Sequence, residues 1–267
     1  MSKLKSLSLF VGTGECNAHC SHCAGAPLRK YAPKEDGIIE EKRIYRTLKE
    51  CYVQGARYLS ISSTGEPTLS PIAVTKTLGL VYSVGKEGMR FSSISLYSNG
   101  IRIGSDKAFC DLYLPVWKDY GLTTVYVTVH DINERKNAAI FGVDYYPPLK
   151  DVLSQIHDAD LTMRANMVLS KRNIYTSDKF ISEAEGLLRL GVDRISAWPV
   201  RGLDDNLDLA NSPLEEELDK IDRWIERNHF DEDGKVRLLR EKSREAYLEG
   251  HKLTLFPDGR LSNSWCN

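Results

Sequence analysis

LSLFVGTGECNAHCSHC, residues 7–23, is the stretch on which the fold turns. It begins as an apolar run, LSLFVG, that reads as a strand. It then passes directly into a loop holding three of the chain's six cysteines, spaced C-x3-C-x2-C. Three is an odd number, so disulfides cannot use them all, and a closed zinc site needs a fourth ligand from elsewhere. The opening MSKLKSLSLFVG has too short an apolar run for a signal peptide, and no segment reaches about 18 apolar residues. A reducing cytoplasm is the expected setting, and clustered cysteines there mean metal or redox chemistry.

Outward from this loop, short apolar or β-branched runs alternate with stretches of helical period, the pattern of βα units on a parallel sheet. Strands are predicted at 7–12, 58–67 (with its loop), 93–100, 124–131, 162–170 and 194–202. Helices are predicted over 40–55, about 71–85, 106–121, 149–159, 177–191 and 212–228. Pro115 is expected to end or kink the third of these, and Ser177 to cap the fifth. Beyond them, VRLLREKSREAYLEG (236–250) reads as a helix, and KLTLFPDGRLSNSW (252–265) as a hairpin around Asp258-Gly259. The expected fold is α/β, a partial, open (β/α)6 barrel over residues 1–212 with a C-terminal helix and hairpin over 213–267. Every unusual polar cluster (ECNAHCSHC, STGEP, YSNG, VHD, WPVRG) stands at the carboxyl end of a predicted strand, the end that carries the active site in parallel barrels.

The cysteine loop admits two readings. Three thiolates can hold three irons of a [4Fe–4S] cluster and leave the fourth iron open to a chelating ligand. Alternatively, Cys16, Cys20 and Cys23 with His19 or His22 can bind zinc. Net charge −1 over 267 residues, with 27% charged, describes an ordinary surface with no basic excess for nucleic acid. Cys51 and Cys110 fall on helices and read as core. The acidic run EEELD (215–219) fits a helix start.

C-x3-C-x2-C after a first strand resembles the radical S-adenosylmethionine (radical SAM) superfamily. STGEP, after the second strand, resembles that family's G-G-E-P-type motif, with Thr64 where glycine is usual. The resemblance continues through YSNG, VTVHD, RANMVLSKRN and WPVRG, over residues 5 to about 202, and is strongest to the cyclic-pyranopterin-forming and peptide-modifying branch. It implies a [4Fe–4S] cluster on Cys16, Cys20 and Cys23, and S-adenosylmethionine bound by its open iron. His22, Thr64, Gly65, Glu66, Pro67, Asn99, Thr128, Asn166 and Trp198 are the implied cofactor contacts, with the Glu66 carboxylate accepting the α-ammonium group. Ser98, His130 and Arg164 are the implied catalytic and substrate positions.

The activity implied is reductive cleavage of S-adenosylmethionine to a 5′-deoxyadenosyl radical that abstracts hydrogen from a small molecule or a peptide. Flavodoxin or ferredoxin would donate the electron. The alternatives are a glycyl-radical activating enzyme acting on a partner protein, or a zinc or iron–sulfur binding protein without turnover. Two departures stand out. His22 occupies a usually aromatic position, and Cys266 is the only thiol where that branch carries auxiliary-cluster cysteines.

Overall fold

Successive side chains along each strand point to opposite faces of the sheet, and that division shapes the molecule. The computed structural model describes residues 4–23, 25–31, 40–202, 206–240, 250–256 and 258–263. The six predicted strands are present as β1 (Ser6–Phe10), β2 (Tyr58–Ser62), β3 (Ser93–Ser98), β4 (Thr124–Val129), β5 (Thr162–Leu169) and β6 (Arg194–Pro199). Leu7, Leu9, Ile61, Val125, Val127 and Met163 point to one face and are fully buried beneath the helices. Ser8, Ser60, Ser95, Tyr126, Arg164 and Ser196 take the other parity and share the inner face of the curved sheet. An ordinary closed barrel fills this space with branched aliphatics. Here it is lined by hydroxyls and cations.

The helices are α1 (Glu41–Gln54), α2 (Pro71–Lys86), α3 (Ile101–Ser105), α4 (Lys107–Asp119), α5 (Glu134–Phe141), α6 (Leu149–Asp158), α7 (Ser177–Leu190) and α8 (Glu215–Arg227). In α1, Ile44, Leu48 and Cys51 form the buried stripe, and Gly55 closes the helix at φ 115°. Cys110 is likewise buried, in α4. Pro115 does not end α4. Leu114 and Trp117 are both fully buried, and their packing carries the helix past the missing N–H. The cap of α7 is Thr176 rather than Ser177. The Thr176 hydroxyl accepts from Lys179 N, while Ser177 is already helical and gives its N–H to Glu217.

The C-terminal part differs from expectation at one point. Val236–Leu238 is a strand, β7, paired parallel to β6, where a helix was predicted. Val236 and Leu238 are buried and Arg237 is exposed, a period of two rather than 3.6. The rest of that predicted helix, 241–249, lies outside the described residues. The hairpin is present: β8 (Lys252–Leu255) and β9 (Leu261–Ser262) pair antiparallel around Gly259 at φ 81°. β8 also pairs parallel with β1. Among the described residues the sheet therefore has nine strands in the order β7-β6-β5-β4-β3-β2-β1-β8-β9, and it is not closed. No described helix is long and apolar enough to cross a membrane.

Candidate active site

A cleft of about 390 Å³ opens at the carboxyl ends of the strands. Cys16, Cys20 and Cys23 line one end of it, half-buried and free of disulfides. Their loop is held by backbone. Val11 N–H donates to Ser62 O at 2.8 Å, His19 N–H to Phe141 O at 2.7 Å, and Glu66 N–H to Glu15 O at 2.7 Å. Gly65 explains part of its own motif. A Cβ there would stand 2.0 Å from Glu15 O and 2.4 Å from Gly14 O, so only glycine fits where the two loops touch.

Two donors reach the sulfurs. Arg29 Nη2 lies 3.8 Å from Cys23 Sγ, and Asn99 Nδ2 lies 4.0 Å from Cys16 Sγ while donating to Asn17 Oδ1 at 2.7 Å. Burial pushes the Cys20 thiol up to about 12, with Cys23 and Cys16 adding to the rise, and burial also raises Cys16. Thiols so placed are reluctant to ionise alone. A bound cation reverses that preference, because the thiolate is the ligand form. Three thiols on one loop are the donor chemistry of a metal cluster, although among the described residues they do not converge as a formed metal site.

Glu66 is fully buried, and burial raises its pKa. Its Oε1 accepts from Thr68 N (3.1 Å), Thr68 Oγ1 (2.8 Å) and Ser98 Oγ (2.8 Å), and its Oε2 accepts from Asn99 N (2.7 Å). Ser98 in turn accepts from Gly100 N at 3.0 Å. The Ser98 hydroxyl is thus engaged within the protein, and Glu66 ties the loop after β2 to the loop after β3. Pro67 begins the short 3-10 turn Pro67–Leu69 that brings Thr68 to Glu66. Thr64 is buried, its hydroxyl has no partner, and its carbonyl accepts from Arg29 Nε at 3.1 Å.

Across the cleft stand Thr128, Asn166 and Trp198, from β4, β5 and β6. Thr128 and Asn166 are register partners, and the Asn166 Oδ1 is buried without a hydrogen bond. His22 and His130 meet edge to face with centroids 4.9 Å apart. His130 is 1% exposed and neither ring nitrogen has a partner; burial, then His22, lowers its pKa to about 3. Burial and the nearby Arg172 also lower His22. Both rings are neutral at pH 7.

Arg164 is set deeper than the sequence suggested. It shares the inner face with Asn166 but lies beneath the cleft lining, donating from Nη1 to Tyr126 Oη (3.2 Å) and Ser196 Oγ (3.3 Å). It meets no carboxylate among the described residues. The cleft also takes Phe10, Tyr97, Phe141, Arg201 and Lys252, none of which the sequence singled out. Parity on the strands would have found Phe10 and Tyr97. Lys252 depends on β8 docking beside β1, for which the sequence holds no local signal.

The open, largely parallel sheet with three free cysteines on the loop after its first strand is the fold that the resemblance of the sequence implied. Among solved structures, SuiB of Streptococcus suis bound to S-adenosylmethionine superposes with a TM-score of 0.67 at 14% identity, over 98% of this chain and 60% of SuiB. The structure of anSMEcpe with bound AdoMet and a peptide gives 0.64 at 14% identity, over 98% of this chain and 74% of that one. Among curated proteins, the GTP 3′,8-cyclase of Klebsiella pneumoniae is 23% identical over 172 residues, 64% of this chain and 48% of the cyclase. The chain spans about half the length of the curated relatives it matches. No protein-family model matches it.

Proposed function

We propose that this chain is a radical SAM enzyme acting on a small molecule or a peptide. Cys16, Cys20 and Cys23 would hold a [4Fe–4S] cluster, and the cleft beside them S-adenosylmethionine. One observation carries the reading: three free thiols line one end of the cleft, on a loop whose backbone is seated on Gly65 and Glu66. When bound, the cluster and S-adenosylmethionine supply the chemistry: one-electron reduction, cleavage of a sulfonium C–S bond, and a 5′-deoxyadenosyl radical that removes hydrogen from a C–H bond.

The chain's own residues position and shield. Asn99 and Arg29 place N–H donors toward two of the sulfurs, the kind of outer contact that orients ligands and tunes a cluster. Glu66, through Ser98 and Asn99, fixes the donor end of that arrangement. Phe10, Phe141, Val168 and Trp198 give the cleft apolar walls that exclude water from a reactive species. His22 lies in the cleft beside Cys23, where a neutral ring can lie against a nucleobase. Thr128 and Asn166 offer hydroxyl and amide groups to a ribose. A one-electron donor such as flavodoxin or ferredoxin is the expected partner.

The test is anaerobic reconstitution followed by reduction. About four irons and four sulfides per chain are expected, as one three-thiolate site requires. The reduced protein given S-adenosylmethionine is expected to release 5′-deoxyadenosine and methionine, and replacing any of the three cysteines by alanine to abolish both. One zinc per chain without sulfide would replace this reading with the zinc-site alternative. Accumulation of S-adenosylhomocysteine would indicate methyl transfer instead.

A further inference from the structure

One level of the inner face carries a row of aromatic side chains with a single gap. Phe10 pairs with Ser62, and Tyr97 with Tyr126. Phe256 and Tyr97 each stand one residue past a register pair, Leu9–Leu255 and Ile61–Leu96. The row across β8, β1, β2, β3 and β4 is therefore Phe256, Phe10, Ser62, Tyr97, Tyr126. Adjacent rings are in contact. Phe256 and Phe10 meet edge to face with centroids 5.4 Å apart, and Tyr97 and Tyr126 stack at 4.5 Å, 19° from parallel. A guanidinium lies over each outer ring, Arg260 4.6 Å from the centroid of Phe256 and Arg164 5.2 Å from that of Tyr126. Of the five positions, Ser62 alone carries no ring.

The space over Ser62 belongs to the cleft, which Phe10, Ser62 and Tyr97 line together. Tyr126 does not line it, so Tyr97 meets the cleft on the side away from Tyr126. Neighbouring strands lie about 4.8 Å apart, which puts β1 and β3 about 9.6 Å from each other. One flat ring fits between Phe10 and Tyr97 at the centroid distances of about 4.5–7 Å that aromatic pairs adopt. The far end of this slot is polar. Two residues down the strands, about 7 Å, Ser8 and Ser60 line the same cleft, and their hydroxyls meet at 2.7 Å. Their mutual bond uses one hydroxyl proton and leaves the second for an acceptor. Lys252 of β8 brings an ammonium to the same cleft. We propose that the slot over Ser62 binds a single six-membered aromatic ring with an oxygen on its far edge, as the recognition element of the substrate. The ring completes the row between Phe10 and Tyr97, and its oxygen accepts from the Ser8–Ser60 pair and Lys252. An aliphatic group would suit the walls but leave the polar end unmatched. A phenol and a pyrimidine base share the required chemistry. That the ring belongs to the substrate rests on the function proposed above; that a ring binds here does not.

The experiment is saturation-transfer NMR on the full chain, prepared without iron, with p-cresol, uracil and toluene as probes, followed by titration. The wild type is expected to bind p-cresol or uracil, with toluene about tenfold weaker, the weight of one hydrogen bond to a charged or buried donor. Preference between the first two assigns a phenol or a pyrimidine. Tyr97→Leu removes one wall and is expected to weaken binding about two- to tenfold. Ser62→Phe supplies from the chain the ring that the row lacks. It is expected to abolish binding while holding or raising the melting temperature. Ser62→Leu fills the slot with a smaller group, and serves if the phenylalanine variant fails to fold. Failure of the wild type to bind either oxygenated ring overturns the proposal, as does binding that both Ser62 variants leave intact. Toluene binding as tightly as the other probes overturns the polar end. Displacement of the probe by adenosine would assign the slot to the base of S-adenosylmethionine and overturn the proposal too. A chain that binds the ring at Ser62 yet forms no 5′-deoxyadenosine keeps the subsite and loses the radical SAM reading. A chain that forms 5′-deoxyadenosine and binds no ring keeps that reading and loses the subsite.

Discussion

His130 shows what single side chains contribute here. Its ring is packed among His22 and Phe141, with no hydrogen bond to either nitrogen, and its pKa is lowered to about 3 from an ordinary 6.5. Between those values the unfolded chain holds a proton that the folded chain refuses. The stabilisation from keeping the ring neutral is therefore complete above pH ~6.5 and is lost as pH falls toward about 3. By pH 5 the loss is about 2 kcal/mol. His130→Phe removes the titration while keeping an aromatic ring against its neighbours. Urea unfolding at pH 7 and pH 5 is expected to show the variant losing about 2 kcal/mol less than the wild type. Identical slopes would mean that the ring finds a proton acceptor in the folded protein. The sequence placed His130 at a strand end in the mouth, but not its isolation from partners. The same limit applied to Glu66. STGEP marked it as a site residue, yet its four donors come from Thr68, Ser98 and Asn99, two of them from the end of the next strand and the residue just past it.

Elements were more legible than contacts, because strand and helix periods are written locally. All six predicted strands and the six helices from Glu41 to Arg227 are present, since each carries its own buried stripe. Two places escaped. The short α5 lies between β4 and α6 and owes its position to the Asn133 cap and to Gly142, signals too brief to read in advance. Three residues of β7 were hidden in a run that looked helical. The pairing of loops was not visible at all, and Gly65 is where it matters most. Alanine there would drive its methyl into Glu15 O, displacing the residue before Cys16. Gly65→Ala is expected to destabilise the chain by on the order of 3 kcal/mol. It is also expected to lower iron retention after reconstitution severalfold, read together with the melting temperature. Unchanged iron content with a lowered melting point would show that the cysteine loop adjusts independently of the turn beside it.

At the scale of the whole molecule, β1 is an inner strand only because β8 covers its second edge, Ser6 pairing with Lys252 and Leu9 with Leu255. Without β8 the row of N–H and C=O groups along β1 is open to other chains. A chain ending at residue 249 is therefore expected to aggregate, with size-exclusion chromatography as the readout. A soluble, monomeric product with an unchanged melting temperature would show that β8 is dispensable. The same arrangement has a consequence in time. β1 pairs with β2 some fifty residues further along the chain, and with β8 some two hundred residues after that. Contacts so far apart in sequence form late and slowly. The thiols of Cys16, Cys20 and Cys23 follow β1 directly, so they stand beside a strand whose second edge is fastened late as the chain folds. For the cluster proposed on these thiols, the hairpin of β8 and β9 is then the clasp that closes last.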